Sequence, residues 1–339
     1  MDTYLVVFSG VLLLAVVGTP LARKLGLRLN AIDKPDPSRK VHTVPTPRLG
    51  GVAIFMSTLV ATLVLGKLYN ISQLTGTLVG ATLVSFMGFW DDRFSLGAGV
   101  KLVGQLAAVG LLIATGVSVS VLPFQSLNLL TTVVWVVGIT NAINFLDYMD
   151  GLSGGIAAIA AAYFALMCAF SGQYLVGALS IAVMAACIGF LFYNWNPATI
   201  FMGDSGSLFL GFTLASVGIK LRFPDNVPFV TWMIPILVLG IPVLDTTLVT
   251  ISRLRRGLNP MTTPGTDHIS HRLTYAGLTR REAVLVLYIG GFVLGLLAVF
   301  VTQASLVEGY LVGGIVVIIG LYALWRLERP PFWPPKKAD

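Results

Sequence analysis

Residues 129–155 read LLTTVVWVVGITNAINFLDYMDGLSGG, and an apolar run that ends in amides and carboxylates is the pattern that decides the fold. The run is apolar enough to lie inside a bilayer. Asn141, Asn144 and Asp147 fall within about 120° of arc on an α-helix, so one flank of its end carries oxygen atoms. The glycines that follow predict that the helix stops, which leaves Asp150 free to turn toward the same side.

Composition extends this pattern to the whole chain. Of 339 residues, 56% are hydrophobic and only 11% are charged, and the mean hydropathy is +0.86. A soluble protein of this length needs more charge to cover its surface. We therefore predict an all-α, polytopic membrane protein with one catalytic domain over 1–339 and about eleven transmembrane helices. The expected spans are 3–22, 50–68, 73–90, 101–118, 128–146, 155–171, 174–194, 207–221, 229–251, 283–303 and 308–326.

The distribution of charge predicts the orientation. The first apolar run is preceded by an acid and no base, so it does not look like a cleavable signal, and its N-terminus is expected outside. The predicted cytoplasmic segments are 23–49, 91–101, 147–154, 195–206, 252–282 and a tail at 327–339. These loops and the stretch after residue 325 hold 19 of the 22 Lys and Arg residues. The net charge of +7 is thus mostly a topology signal, and no nucleic-acid partner is needed to explain it.

Carboxylates stand at the ends of three apolar segments on the predicted cytoplasmic face. They are Asp91, Asp92, Asp147, Asp150 and Asp204. Acids at membrane ends are functional candidates, and two of these three segments contain no Lys or Arg. Carboxylate and amide oxygens without a Cys or His cluster suit Mg²⁺, which at a membrane face most often serves phosphate chemistry. For any single Asp, the alternative is a helix cap or a solvated loop acid.

Cations and all three histidines belong to two other segments of the same predicted face. The candidates are Lys40, His42, Arg255, His268, His271 and Arg272. Cations beside a metal and carboxylate site are what a diphosphate substrate requires. The positive-inside rule alone is the alternative for the Lys and Arg residues. It explains the histidines poorly, because neutral His does little for topology.

Five motifs in order make the chain resemble the polyprenyl-phosphate N-acetylhexosamine-1-phosphate transferases over about 33–272. They are RKVHTVPTPRLGG, FWDDR, NAINFLDYMDG, FMGDSGSLFLG and DHISHRL. The resemblance implies a multi-pass protein of the bacterial plasma membrane with its active site on the cytoplasmic face. It implies that a lipid carrier such as undecaprenyl phosphate attacks the β-phosphate of a UDP-sugar and releases UMP. A homodimer is left open.

The resemblance also implies a Mg²⁺ cofactor, for which Mn²⁺ can substitute. Asp204 and Asn144 match the metal contacts of the family. Asp91 matches the acid proposed to bind or deprotonate the lipid phosphate, with Asp92 beside it, and Asp147 is a further site acid. We favour direct attack over a covalent aspartyl intermediate. An obligate base is not required, because a phosphate monoester is already largely ionised near neutral pH (second pKa about 6).

The remaining matches concern the substrates. Asp150 matches a position near the uracil, and His268 and His271 match positions near the sugar and diphosphate. Lys40 and His42 match the basic motif of the first cytoplasmic loop. The predicted substrate-binding residues also include Asn141, Arg255 and Arg272.

One departure bears on the sugar. The histidine stretch is HISH, with Ser270 where a further histidine is common, and the peptidoglycan-initiating branch usually has three adjacent histidines. The resemblance therefore favours the branch that uses UDP-GlcNAc. Another UDP-N-acetylhexosamine or UDP-MurNAc-pentapeptide is the alternative.

Three rival functions match the sequence less well. DYMDG opens the signature of CDP-alcohol phosphotransferases, but Gly154 and Gly155 replace the expected Ala-Arg and no D-x-x-x-D follows. The aspartate-rich motif of prenyltransferases fails at Ser95. A transporter would carry ionisable residues near the middle of the membrane, and only Asp245 fits that description.

Overall fold

A computed structural model describes residues 2–33, 44–68, 74–260, 263 and 265–333. The described chain is mostly helical, as the sequence predicts, and its one β element is a two-residue antiparallel pair, β1 (Ile32–Asp33) and β2 (Thr46–Pro47). The helices are α1 (Asp2–Arg28), α2 (Gly50–Leu68), α3 (Thr75–Phe94), α4 (Ala98–Ala114), α5 (Gln125–Phe145), α6 (Leu152–Phe170), α7 (Tyr174–Asn194), α8 (Asp204–Lys220), α9 (Pro228–Thr231), α10 (Ile234–Val238), α11 (Gly240–Arg255), α12 (Ile269–Tyr275), α13 (Arg280–Val301) and α14 (Leu306–Leu327).

Several of these helices could cross a membrane, which makes the chain a multi-pass membrane protein. Within the described ranges, α1, α5, α6, α7, α13 and α14 are long and apolar enough to span, and a bent pair could form a seventh span. The other predicted spans also coincide with helices, but those helices are shorter or end in charged residues. The count of eleven and the orientation remain predictions.

The ninth predicted span is a broken helix. Its apolar sequence is continuous, yet the chain bends by 73° between the segments 228–238 and 240–255. Pro242 explains the break. In a continuous helix its ring would collide with the carbonyl four residues earlier, at Val238, and it has no N–H to donate to that carbonyl. The bend gives α11 its own direction, and α11 carries the acid Asp245.

α8 lies at the centre of the helices that bring the motifs together. Fifteen of its seventeen residues are buried, and it packs against α2, α3 and α5. Small residues allow this approach, since a Cβ on Gly206 would collide with the backbone of Gly51, and one on Gly88 with that of Asp204. Close backbone contacts of α8 with α2 and with α3 thus fix the relative positions of the motifs PRLGG, FWDDR and FMGDSG.

Main-chain hydrogen bonds join the first motif to the fourth. The N–H of Phe201 donates to the carbonyl of Pro47 at 2.8 Å, and Gly50 and Gly51 donate back to Phe201 and Met202 at 2.9 and 2.8 Å. Two segments about 150 residues apart in sequence therefore share one rigid junction directly before α8.

Candidate active site

A cavity of about 320 Å³ lies where the motif segments meet. It is bounded by the end of α3, the segment after α5, the start of α8 and the segment before α12. Its lining consists of Asp33, Arg48, Asp92, Asp147, Tyr148, Met149, Asp150, Asn194, Phe201, Gly203, Asp204, Gly265, Thr266, His271 and Arg280. Four of the five carboxylates predicted from the sequence are in this set, together with one of the predicted histidines.

Asp92 ties α3 to the first turn of α8. Its two carboxylate oxygens accept hydrogen bonds from the backbone N–H groups of Asp204 (3.0 Å) and Ser205 (3.1 Å). These are orphan donors of a helix start, which favour an anionic acceptor. Burial and the neighbouring charge of Asp204 nevertheless raise the pKa of Asp92 to about 8. The Asp92 side chain therefore holds the backbone of Asp204 in place while lying close to the negative charge of the Asp204 carboxylate.

Gly203 makes the turn into α8 possible. Its φ of +74° lies in the left-handed region, and a Cβ there would collide with the carbonyl oxygen of Arg48 and with the carboxylate of Asp92. Only glycine meets both demands. The motif FMGDSG therefore needs its glycine directly before the acid.

Lys101 bridges two acids beside the cavity, Asp91 and Asp204, of which only Asp204 belongs to the lining. Its Nζ lies 2.9 Å from Oδ2 of Asp91 and 2.9 Å from Oδ2 of Asp204. Burial and the adjacent Asp204 raise the pKa of Asp91. Burial also opposes ionisation of Asp204, but hydrogen bonds from Asp91, Lys101 and Asn144 outweigh it and lower its pKa. The pKa values of the two carboxyls are therefore shifted in opposite directions, and Asp204 is the one whose charged form the surroundings favour.

Asn144 and Asp147 approach the same carboxylate from the end of α5. Asn144 donates from Nδ2 to Oδ1 of Asp204 at 3.0 Å and to Oγ of Ser207 at 2.9 Å. Asp147 lies beyond the helix end and accepts a hydrogen bond from the backbone of Gly203. Burial and the charges of Asp204 and Asp92 raise the pKa of Asp147 well above its ordinary value.

Asn141 lies one turn earlier and contacts a different partner. Its amide exchanges hydrogen bonds with the amide of the buried Gln105, at 2.8 and 3.3 Å. Gln105 follows Lys101 by one helical turn on α4. The structure thus places Asn141 beside α4, one turn beyond Lys101, and outside the cavity lining.

Asp150 lies at the edge of the cavity, on the turn between α5 and α6. Its Oδ2 accepts from Nδ2 of Asn196 (2.9 Å) and from the backbone N–H of Ala198 (3.0 Å). Oδ1 has no hydrogen-bond partner among the described residues. The side chain does not cap α6, so the helix-cap alternative weighed for this acid does not apply there.

The histidine motif packs around Tyr148. The ring of Tyr148 contacts both His268 (centroids 4.1 Å apart) and His271 (4.9 Å apart), and its hydroxyl accepts from Oγ of Ser270 at 3.0 Å. His271 lines the cavity, and burial together with the neighbouring His268 lowers its pKa to about 4. His271 is therefore neutral at neutral pH. His268 is not part of the cavity lining but packs beside Tyr148, with Nδ1 2.7 Å from Asp245.

The predicted arginines serve the packing of this segment. Arg272 is fully buried, donates to the carbonyls of Asp267 and Leu327, and lies 2.8 Å from Glu328. Arg255 is 67% exposed and lies 3.8 Å from Glu328. Neither is part of the cavity lining. Lys40 and His42 lie outside the described residues.

A second ion cluster fixes the segment before α12. Burial disfavours the charged form of Asp267, but the guanidinium groups of Arg253 and Arg256 outweigh this effect and lower its pKa to about 2. Arg253 bonds both carboxylate oxygens, at 3.0 and 2.9 Å. This bidentate pair holds the segment that carries the histidines.

Three residues of the site were not identified from the sequence. Lys101 counted only as a topology charge, Tyr148 had no assigned role, and Asp245 was considered only for a transporter. The available signal for Lys101 was its position ten residues after Asp91, at the start of the next apolar run. For Tyr148 it was the aromatic ring within the acid motif itself.

The donor set fits a divalent cation of the hard class. No group of three or more His, Cys, Asp or Glu side chains is arranged to hold a metal among the residues that the structure describes. Mg²⁺, however, usually takes one or two carboxylates and completes its shell with water and substrate phosphate. Burial first, and the negative charge of Asp204 second, raise the pKa values of Asp92 and Asp147, and a cation at Asp204 would relieve the second effect.

Known proteins are similar to this chain over most of its length. Residues 74–222 match the profile of glycosyl transferase family 4. The chain is 36% identical to the "probable undecaprenyl-phosphate N-acetylglucosaminyl 1-phosphate transferase" of Bacillus subtilis, covering 89% of this chain and 86% of that protein. It is 29% identical to the decaprenyl-phosphate N-acetylglucosaminephosphotransferase of Mycolicibacterium smegmatis, covering 80% and 75%. It is 25% identical to the undecaprenyl-phosphate alpha-N-acetylglucosaminyl 1-phosphate transferase of Yersinia pestis, covering 91% and 89%.

Proposed function

Because the chain belongs to glycosyl transferase family 4, we propose that it transfers N-acetylglucosamine 1-phosphate from UDP-GlcNAc to undecaprenyl phosphate and releases UMP. The observation that carries this proposal is the convergence of Asp91, Lys101 and Asp204, from three separate segments, beside a cavity that Asp204 lines together with Asp92, Asp147 and Asp150. The names of these relatives all specify N-acetylglucosamine and a polyprenyl phosphate, which supports the choice of substrates.

The reaction exchanges one P–O bond for another. An oxygen of the lipid phosphate attacks the β-phosphorus of UDP-GlcNAc, the bond from that phosphorus to the bridging oxygen breaks, and the electron pair leaves with UMP. The lipid then carries the sugar through a diphosphate. Phosphoryl transfer depends on alignment and charge neutralisation more than on covalent help from the protein.

The chain's own residues meet these demands in distinct ways. The ammonium of Lys101 offers a positive charge between Asp91 and Asp204, where phosphate oxygens can exchange with carboxylate oxygens. Asp92 and Gly203 hold the start of α8 in place. Neutral His271 can donate one hydrogen bond to a substrate oxygen without titrating near pH 7.

We propose Mg²⁺, with Mn²⁺ as a substitute, as the cofactor held by Asp204 with Asn144 beside it. When bound, such an ion would neutralise diphosphate charge and act as a Lewis acid toward the phosphoryl oxygens. Asp204 is suited to this role because its pKa is lowered, whereas the pKa values of Asp92 and Asp147 are raised.

We further propose that the cavity faces the cytoplasm of a bacterial cell, with the N-terminus outside the plasma membrane. The positive-inside distribution supports this orientation, since the acid motifs and the basic loops belong to the same predicted face. UDP-sugars are water-soluble, so an opening toward the cytoplasm suits the donor, while the lipid acceptor stays in the bilayer.

UMP release tests the proposal directly. The purified protein in detergent is incubated with undecaprenyl phosphate, MgCl₂ and one of UDP-GlcNAc, UDP-GalNAc or UDP-MurNAc-pentapeptide. We expect UMP and a lipid-linked sugar diphosphate in equal amounts, with UDP-GlcNAc as the best donor. Turnover of the pentapeptide donor alone would reassign the sugar, and no UMP from any donor would refute the reaction.

A further inference from the structure

Asp245 is a buried acid whose role the proposed reaction leaves open. It lies on α11 just beyond the bend of the broken helix, and it is completely shielded from solvent. A buried carboxylate is costly unless its oxygens are satisfied by hydrogen bonds. Both oxygens are satisfied here, and both partners come from the histidine motif.

The hydrogen bonds of Asp245 set the proton arrangement of His268. Oδ1 accepts from the backbone N–H of Ile269 at 2.7 Å, and Oδ2 lies 2.7 Å from Nδ1 of His268. A carboxylate has no proton to donate, so Nδ1 of the imidazole must carry the hydrogen. In the neutral ring the other nitrogen, Nε2, is then a hydrogen-bond acceptor.

Nε2 of His268 is the unused atom of this pair. It has no hydrogen-bond partner among the described residues. It is also not one of the fully buried polar atoms that lack a partner, so part of its surface remains accessible to solvent. The whole residue is only 6% exposed. A nearly buried imidazole with one nitrogen fixed and the other open points to a ligand rather than to packing alone.

The same pair supports one wall of the cavity. His268 packs against Tyr148 in a tilted contact, and Tyr148 stacks on His271. Tyr148 and His271 both line the cavity. Ser270 fixes the Tyr148 hydroxyl from the same short helix. Asp245 is thus connected to the cavity wall by two successive contacts, first with His268 and then from His268 to the ring of Tyr148.

We propose that Asp245 is a positioning residue that holds His268 in its Nδ1-protonated tautomer, so that Nε2 accepts a hydrogen bond from a hydroxyl or amide N–H of the bound substrate. This role rests on the proposed transferase function. It also explains why a single acid is placed on the broken helix, where a transporter would instead use it along a transport path. Here its two bonds are spent on the segment 268–269.

Asp245→Asn inverts the arrangement with almost no change in shape. The Asn oxygen keeps the bond from Ile269, so its NH₂ group faces Nδ1 of His268, which must become an acceptor. The imidazole proton then moves to Nε2, and the acceptor offered to substrate is lost. We expect kcat/KM for UDP-GlcNAc to fall roughly 10- to 100-fold, as for loss of one hydrogen bond that involves a charged or buried group. Thr246→Val is the matched control, because it removes a neighbouring buried hydroxyl without a hydrogen-bond partner in the described chain, and it should leave kcat/KM unchanged.

The tautomer can be read without any assay of activity. The protein has three histidines, so ¹⁵N-histidine labelling gives few signals, and His268→Gln identifies the signal of His268 by its loss. We expect a protonated Nδ1 and a bare Nε2 for His268 in the wild type, and the reverse in Asp245→Asn. A wild-type His268 protonated only at Nε2 overturns the proposal, even if no variant folds.

A double-mutant cycle separates positioning from simple stabilisation. If Asp245 acts through His268, then Asp245→Asn should cost no further activity in the His268→Gln background. Multiplying losses, or full activity of Asp245→Asn with an inverted tautomer, would contradict the inference. A wild type that releases no UMP would refute the transferase function instead, and the ¹⁵N measurement would still test the Asp245–His268 pair.

Discussion

Replacing Lys101 with Met removes the cation that holds the two central carboxylates together. The Nζ atom lies 2.9 Å from both Asp91 and Asp204, and the side chain is 26% exposed. Removing one partner of a buried ion pair typically destabilises a protein by 3–5 kcal/mol. Because water reaches part of Lys101, we expect the lower end of that range, about 3 kcal/mol at pH 8.

The deficit should depend on pH in a defined direction. Without the ammonium, the pKa of Asp91, which burial and Asp204 already raise, is expected to rise further, and Asp204 loses one of the groups that lower its pKa. A carboxyl group with a raised folded pKa stabilises the fold below the unfolded pKa, and this contribution is lost as pH rises through the folded pKa. The variant should therefore be clearly less stable than the wild type at pH 8 and much closer to it at pH 5.

Thermal unfolding in detergent measures this effect. We expect Lys101→Met to lower Tm by about 5–10 °C at pH 8, since about 3 kcal/mol shifts Tm by a few degrees per kcal/mol. MgCl₂ should restore part of the loss, because a divalent cation can replace the missing charge. Arg93→Met is the control, since Arg93 is an exposed cation near the same helix end, with its guanidinium 5.5 Å from the Phe94 ring. A variant as stable as the wild type at pH 8, or equally destabilised at both pH values, would refute this electrostatic reasoning.

Three further predictions address recognition, acid stability and orientation. Asp150→Ala should raise KM for UDP-GlcNAc roughly 10- to 100-fold and weaken UMP inhibition, whereas Asn144→Ala should raise the Mg²⁺ requirement instead; normal UMP binding by Asp150→Ala would refute the first half. The pKa of His271 is lowered to about 4, so the stability that the neutral ring allows is lost as pH falls from about 6.5 to 4. Over that window the wild type should lose up to about 3 kcal/mol more stability than His271→Gln, measured as a larger drop in Tm. Parallel Tm curves for the two proteins would contradict this prediction. In a cysteine-free background, a cysteine at Asp225 should react with an impermeant thiol reagent in intact cells and one at Arg255 should not, and the opposite labelling would reverse the topology.

The positions of the helices could be predicted because an apolar run long enough to cross the hydrocarbon core must form a helix there, whichever of its faces is buried. All predicted spans coincide with helices, and the polar ends of α3, α5 and α8 meet as the motif order indicates. The break in the ninth span was missed, although Pro242 marks it, because the hydropathy of that run is continuous. Hydropathy averages over a window and does not register the loss of one N–H.

The partners of the charged residues could not be predicted in the same way. Lys101 satisfies the positive-inside rule at the start of an apolar helix, and only folding brings it to Asp204, 103 residues further along the chain. Arg272 has the residue type and neighbours of a substrate ligand, yet its charge pairs with Glu328 near the C-terminus. A guanidinium serves a phosphate or a structural carboxylate equally well, so the choice is made by tertiary contacts.

The central claim is that Asp204 is the charged group on which a metal-dependent transfer depends. The most direct measurement compares UMP release by the wild type and by Asp204→Asn, with undecaprenyl phosphate and UDP-GlcNAc, in MgCl₂ and in excess EDTA. Asparagine can still donate and accept hydrogen bonds near Asn144 and Lys101, so the folded protein should survive while its carboxylate charge is lost. We predict turnover only by the wild type in MgCl₂, restored after EDTA by added Mg²⁺ or Mn²⁺. Full turnover in EDTA, or by folded Asp204→Asn, would contradict the claim.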